Sequence, residues 1–213
     1  MQIANNILKH YLRDVYFFCG TACGGKTTIA KTFAEKHGFL WLSEFELYGE
    51  MDKILDPAYQ PACCAEPLDR EAYYNRHYKD YAQWMDDVTA EMVPLMVLEL
   101  VKRSADKPVA VDLPFSVQTA LELAAPKHLV FLVTTPEIVV RDFCNRPDHT
   151  HELEEIMGLR EPEKALANLH RTLEYMTERT LRDVRQSGVP YIMRDDASTV
   201  ERTLKLVEEY FGI

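Results

Sequence analysis

What this chain of 213 residues can fold into is constrained most by one loop, "FFCGTACGGKTT" (residues 17–28), where Gly20, Gly25, Lys26 and Thr27 stand at the spacing GxxxxGK[ST]. Only eight glycines occur in the sequence, and three of them fall here. The apolar run "VYFFC" (15–19) enters the loop. Behind it, Ile29, Ala30, Phe33 and Ala34 form an apolar face and Gly38 sits at a left-handed cap position, which predicts a helix over 26–37. Strand, glycine loop and helix in that order let successive backbone N–H groups turn inward around a phosphate chain, at the positive end of the helix dipole. Glycines at 20, 24 and 25 permit backbone angles that a side chain forbids. Lys26 is placed to reach β and γ phosphates, and Thr27 to offer its hydroxyl to Mg²⁺. Gly20, Thr21, Ala22, Cys23, Gly24, Gly25, Lys26, Thr27 and Thr28 are therefore the candidate nucleotide-binding segment. The alternative is a glycine-rich turn with an incidental lysine.

Four further apolar runs, "FLWL" (39–42), "VAVDL" (109–113), "LVFLV" (129–133) and "VPYIM" (189–193), are continuous rather than alternating. That is the pattern of strands covered on both faces in a parallel sheet. Thr135, Pro136 and Glu137 start a helix, and Ser198 with Glu201 forms a capping box. Alternating strands and helices predict a three-layer α/β fold with a parallel five-stranded sheet in a single domain, 1–213.

Two stretches exceed a minimal crossover. Residues 50–107 open with the proline-spaced loop "DPAYQPACCAEPLD" and continue into a helical pattern in which Tyr74, Tyr78, Tyr81, Met85, Val88, Met92 and Leu95 share one face, with Pro94 expected to kink or break it. Residues 147–187 contain an amphipathic helix opened by Pro162.

A magnesium nucleotide needs an acidic group near the metal. Asp112 ends the third predicted strand among apolar neighbours, where a carboxylate must meet a cation or hydrogen bonds, so it is the candidate Mg²⁺ partner beside Thr27; a turn cap is the alternative. Glu44, in "LSEFE" after the second strand, lies on the carboxyl edge of the sheet, where open α/β sheets bind ligands. It is a candidate general base or hydroxyl anchor, with a solvated loop acid as the alternative.

A formal net charge of −10 with no Lys/Arg-rich block argues against a nucleic-acid polymer as partner. No apolar run approaches the roughly 20 residues of a membrane span, and the first residues lack the apolar core of a secretory signal, so a cytoplasmic protein is expected. Five cysteines, at 19, 23, 63, 64 and 144, contain no CxxC and read as free thiols. Cys23, inside the loop, either packs or carries a lowered pKa that makes it sensitive to oxidation. "DHTH" (148–151) has two histidines without a third ligand and reads as a solvated loop rather than a metal site.

The segments "VYFFCGTACGGKTTIAKTFAEKHGFLWLS", "VAVDLPFSVQTALEL", "HLVFLVTTPEIVVRDFCNR" and "VPYIMRDDASTVERTLKLVEEYF" resemble, in order, the signature regions of P-loop small-molecule kinases, the group of adenylate, cytidylate and shikimate kinases. The resemblance covers about half the chain and implies ATP as donor with Mg²⁺, a small-molecule acceptor (a nucleotide, nucleoside or hydroxy metabolite), and a monomer or homodimer. It further implies a lid after the fourth strand, bringing arginines onto the transferring group; Arg141 and Arg146 of "VVRDFCNR" occupy those positions, with surface salt bridges as the alternative. By the same likeness, the loop from Arg194 to Ser198, including Asp196, lies beside the adenine ring. The departures fall where acceptor identity is written. "DLPFS" lacks the glycine and arginine that monophosphate kinases place there, "SEFE" replaces the aspartate pair of shikimate kinases, and the resemblance does not extend to residues 50–107. There Arg70, Arg76, Tyr73 and Tyr74 are candidates to hold a phosphorylated or aromatic substrate, with packing of the tyrosine stripe as the alternative. A nucleotide-binding regulatory protein, or a degenerate kinase without phosphoryl transfer, is the other reading. A GTPase switch is disfavoured, since no NKxD is present and "DLPF" lacks the glycine of DxxG.

Overall fold

The computed structural model describes residues 3–51, 53–146 and 149–213. A short helix α1 (Asn5–Tyr11) leads into β1 (Val15–Gly20), the glycine loop and α2 (Lys26–His37). β2 (Leu40–Ser43) and α3 (Glu44–Met51) follow, then α4 (Arg70–Asn75), α5 (Tyr78–Ser104), β3 (Val109–Asp112) and α6 (Val117–Leu123). The chain closes with β4 (Leu129–Val133), α7 (Pro136–Asp142), a 3₁₀ turn (Phe143–Asn145), α8 (Thr150–Met157), α9 (Pro162–Ser187), β5 (Tyr191–Met193) and α10 (Val200–Phe211).

The five strands form one parallel sheet in the order β2-β3-β1-β4-β5. β3 and β4 are buried along their full length, which is why their sequences are apolar without alternation. Successive side chains still go to opposite faces. Val15, Phe17 and Cys19 pack with α5, α6 and α9, whereas Phe18 packs with α2 and α10, giving three layers. β1 lies between β3 and β4, so the loop leaving it opens where the strand order reverses, the crevice in which such sheets bind ligands. This is the three-layer P-loop fold, and the helix expected over 26–37 is present. No described helix is long and apolar enough to cross a membrane.

Three local expectations are corrected. α5 runs unbroken through Pro94, which sits on the exposed side, where water can take the carbonyl its ring leaves free. The break comes earlier, at Arg76, whose backbone is extended (φ −57°, ψ 141°). His77 then caps α5 through Nδ1, so Tyr74 stands on a different helix from Tyr78 and the aromatic stripe is not one face. The last helix is capped by Thr199, which accepts from the N–H of Arg202 at 3.2 Å; Ser198 instead bonds Asp195 in the preceding turn. A capping box occurs elsewhere, where Ser43 accepts from the N–H of Glu46 and Glu46 Oε2 accepts from the N–H of Ser43 at 3.0 Å.

Candidate active site

The loop is shaped by contact with β4. A Cβ at Gly20 would lie 1.9 Å from the Leu132 carbonyl oxygen and one at Gly24 2.2 Å from the same atom, so both positions exclude any side chain. Gly25 is glycine for the other reason, a left-handed φ of +92°. Thr21 fixes the loop to the sheet: its N–H donates to Leu132 O at 3.2 Å and its hydroxyl accepts from the N–H of Thr134 at 3.0 Å. The Thr134 hydroxyl in turn donates to Arg194 O at 2.9 Å, tying the loop to the end of β5. α2 closes its first intrahelical bond from Ile29 to Gly25 O, which leaves the N–H groups at the start of the helix without helical acceptors.

Lys26 turns its ammonium inward onto the Thr21 carbonyl at 2.9 Å. Among the described residues no carboxylate forms an ion pair with it, and burial pushes its pKa down against the opposing pull of Glu44 and Asp112. Asp112 is buried between two donors, the Thr27 hydroxyl at 2.6 Å and the Trp41 indole N–H at 3.0 Å. Its pKa is raised by burial, and those bonds and Lys26 offset the rise. Asp112 is thus not a turn cap. Glu44, the first residue of α3, also has its pKa raised by burial, with Lys26 opposing. Its side chain is half-buried rather than fully exposed.

The two lid arginines separate. The Arg146 guanidinium bonds the Cys23 thiol and acts on both Lys26 and Glu44, so it stands over the loop. Arg141 is exposed and held in a two-pronged pair with Asp196 (2.7 and 3.1 Å) and a second with Asp142 (2.7 and 3.2 Å). Arg194 donates to the carbonyl of Cys23, so the β5 end touches the loop through Arg194, while Asp196 engages Arg141. Cys23 adopts a left-handed φ of 53° and packs with Val139 and Leu173; burial raises its pKa, contrary to an activated thiol. Thr28 accepts from the Thr32 hydroxyl at 2.8 Å through its carbonyl, and Ala22 packs beside Cys23. Of "DHTH", Asp148 lies outside the described residues, while His149 bonds Glu152 at 2.6 Å and stacks on Phe143.

Of Arg70, Arg76, Tyr73 and Tyr74, the structure brings Arg76 against the Tyr73 ring, while Arg70 and Tyr74 both engage Glu155. Sequence reasoning missed Thr134 and Trp41. Thr134 acts through bonds to residues 113 and 60 positions away, and Trp41 through one bond to a residue 71 positions away. An indole N–H in an apolar strand run, which must find a partner, was the one available signal.

The residues present fit a magnesium nucleoside triphosphate. The glycine cradle, an inward ammonium without a counter-ion and a hydroxyl on a buried carboxylate are the donor set such a group requires. No family model and no curated protein matches the chain. Among solved structures, a shikimate kinase from Acinetobacter baumannii in complex with shikimate is similar at 14% identity and a TM-score of 0.46, over 93% of each chain. A "putative kinase" from Chloroflexus aurantiacus J-10-fl is similar at 13% identity and a TM-score of 0.49, over 93% of this chain and 95% of that one. At those values neither similarity bears on activity or substrate.

Proposed function

We propose that the protein is an ATP-dependent phosphotransferase acting on a small-molecule acceptor. The observation that supports this most is the inward Lys26 ammonium, half-buried without a carboxylate partner beside the Thr27–Asp112 bond. A half-buried cation costs free energy, and the arrangement is rational when an anion completes it.

MgATP, when bound, supplies the phosphoryl group. The first-turn N–H groups of α2 would hold its phosphates, Lys26 would leave the Thr21 carbonyl for the terminal phosphates, and Thr27 with Asp112 would hold the metal. Glu44, whose raised pKa makes it a better proton acceptor than an exposed carboxylate, would take the proton of the acceptor hydroxyl. Arg146 would place positive charge where the transition state spreads negative charge. The 3₁₀ turn (Phe143–Asn145) and α8 would cover the site and keep water from acting as acceptor. Arg141 and Asp196, joined to each other, would border the base-binding side.

The test is ADP formation from ATP with a panel of nucleosides, nucleoside monophosphates and small hydroxy metabolites, measured against Lys26→Ala. At least one acceptor is expected to give turnover above that background. Should none do so while ATP raises the melting temperature, a regulatory nucleotide-binding protein is the better description. If ATP, ADP and GTP all leave the melting temperature unchanged, both readings fall, because a ligand of the folded state must stabilise it.

A further inference from the structure

Arg76, at the joint between α4 and α5, differs from the other half-buried arginines. Arg179 is paired with Asp86 at 2.6 and 2.7 Å, Arg194 with Asp142 and the Cys23 carbonyl, and Arg146 with the Cys23 thiol. Arg76 has aromatic faces instead, its guanidinium lying 4.7 Å from the ring centre of Trp84, 5.0 Å from Tyr73 and 5.2 Å from Tyr81. Among the described residues no hydrogen bond or ion pair engages it, and its Nε is enclosed without an acceptor. Ring faces stabilise the charge but accept none of the five N–H donors. A planar fork with unused donors is the geometry that recognises a carboxylate or a phosphate.

The cage is built and placed. Tyr73 and Tyr81 join hydroxyls at 3.3 Å, and the Trp84 indole N–H is anchored on Ala62 O at 3.2 Å, so the rings are held by bonds of their own. Asn168 of α9 holds the chain on both sides of the joint, donating to Tyr74 O at 2.7 Å and to Arg76 O at 2.6 Å. Five residues further along α9, about 7.5 Å along its axis, Leu173 packs on Cys23 of the phosphate loop. One rigid helix therefore sets the distance between the cage and the loop. Glu152, beside the tyrosines, also has an enclosed oxygen, Oε2, without a hydrogen-bond partner. The cage thus offers a guanidinium with unused donors, and beside it a carboxylate oxygen that lies 3.9 Å from the His151 ring.

We infer that Arg76 anchors the acceptor by an anionic group, a carboxylate or a phosphate, on the far side of the site from the transferring phosphoryl group. This rests on the phosphotransferase reading. It narrows the acceptor to small molecules that carry both an anionic group and a hydroxyl, with Glu152 available to a hydrogen-bond donor of the same molecule.

The experiment reads Trp84, which lines the cage. Protein saturated with Mg²⁺ and β,γ-methylene ATP, so that the loop is filled, is titrated with inorganic phosphate or with acetate at fixed ionic strength while tryptophan emission is followed. A saturable change with at least one anion is expected, lost in Trp84→Phe, which retains Trp41. Arg76→Met should raise the half-saturating concentration about 10- to 100-fold. Arg76→Lys, keeping the charge but not the fork, should fall between. The arm that responds says whether phosphate or carboxylate is preferred.

An equal response in Arg76→Met, or no saturable response to either anion, would overturn the anchor. So would a stability loss in Glu152→Gln that matches Arg76→Met and does not add to it, since Arg76 would then serve as the partner of Glu152. The melting-temperature rise on adding the ATP analogue, recorded for parent and variants, confirms folding and separates the two readings. Its absence in the parent overturns the phosphotransferase reading, and the acceptor role with it. Its presence without an Arg76-dependent anion response overturns the anchor alone.

Discussion

The phosphate loop and the segment between residues 50 and 107 are held by opposite means. In the loop, backbone meets backbone: Gly20 and Gly24 press on Leu132 O, and Gly25 turns left-handed. In the segment, side chains reach across long separations to satisfy backbone groups. Glu91 accepts from the N–H groups of Ala62 and Cys63 at 2.9 Å each, and Asn168 donates to carbonyls of Tyr74 and Arg76. The first arrangement dictates residue types within a few positions. The second only requires that some partner arrive from far along the chain, and many sequences meet that requirement.

The sharpest way to break the comparison is at Lys26. If the loop exists to hold a triphosphate, Lys26→Ala should lower kcat/KM on the order of 10³-fold, while the nucleotide-free protein melts at the same temperature or higher, because a half-buried ammonium without an ion pair is removed. A fall in stability with unchanged turnover would make Lys26 a structural residue.

Gly24→Ala tests the backbone contact. With the added carbon 2.2 Å from a carbonyl oxygen that belongs to the central sheet, neither side can yield cheaply. A loss of about 3 kcal/mol is expected from the urea midpoint, with nucleotide binding lost as well. The segment should respond with the opposite sign. Pro94 lies on the exposed side of an unbroken helix, so Pro94→Ala restores a hydrogen bond and should gain about 2 kcal/mol, less whatever the proline contributes by stiffening the unfolded chain.

These signs explain what was legible in the sequence. β1, β3, β4, α2 and the loop were readable because burial on both faces leaves a continuous apolar run and a strand-to-helix phosphate cradle leaves glycines, whereas β2 and β5 carry apolar runs although the first is only half buried and the second has no buried residue. Asp112 was readable because an acid ending an apolar strand needs partners, and it has Thr27 and Trp41. The split between Arg141 and Arg146 was not readable. Both follow β4 at similar distance, and only the placement of Asp196, 55 residues further on, draws one away from the loop. The break at Arg76 was likewise hidden, since the aromatic spacing is helical through it and the cause is a pair of bonds from Asn168, more than 90 positions away.

Glu44 stands at the border of the two regions, and its test is the smallest in size. Its carboxyl sits above the ordinary pKa because burial disfavours the charged form, with Lys26 pulling the other way. A raised folded-state pKa means that the folded protein binds the proton more tightly than the unfolded chain. The stability this provides is fully present below the unfolded value of about 4.5 and is lost as pH rises through the folded value. Lys26 behaves in mirror image: lowered by burial, it contributes stability above about 10.5 that is lost as pH falls through its folded value. Glu44→Gln removes only the first of these dependences. Going from pH 4 to pH 8, the melting temperature of the nucleotide-free parent should therefore fall relative to that of Glu44→Gln, by about 1 to 3 °C. MgATP should enlarge that difference if Lys26 turns away from Glu44 toward the phosphates, since the charge that holds the carboxyl's pKa down is then withdrawn. A difference independent of pH would place the Glu44 carboxylate in solvent in solution, and the base would then have to be sought at Asp112.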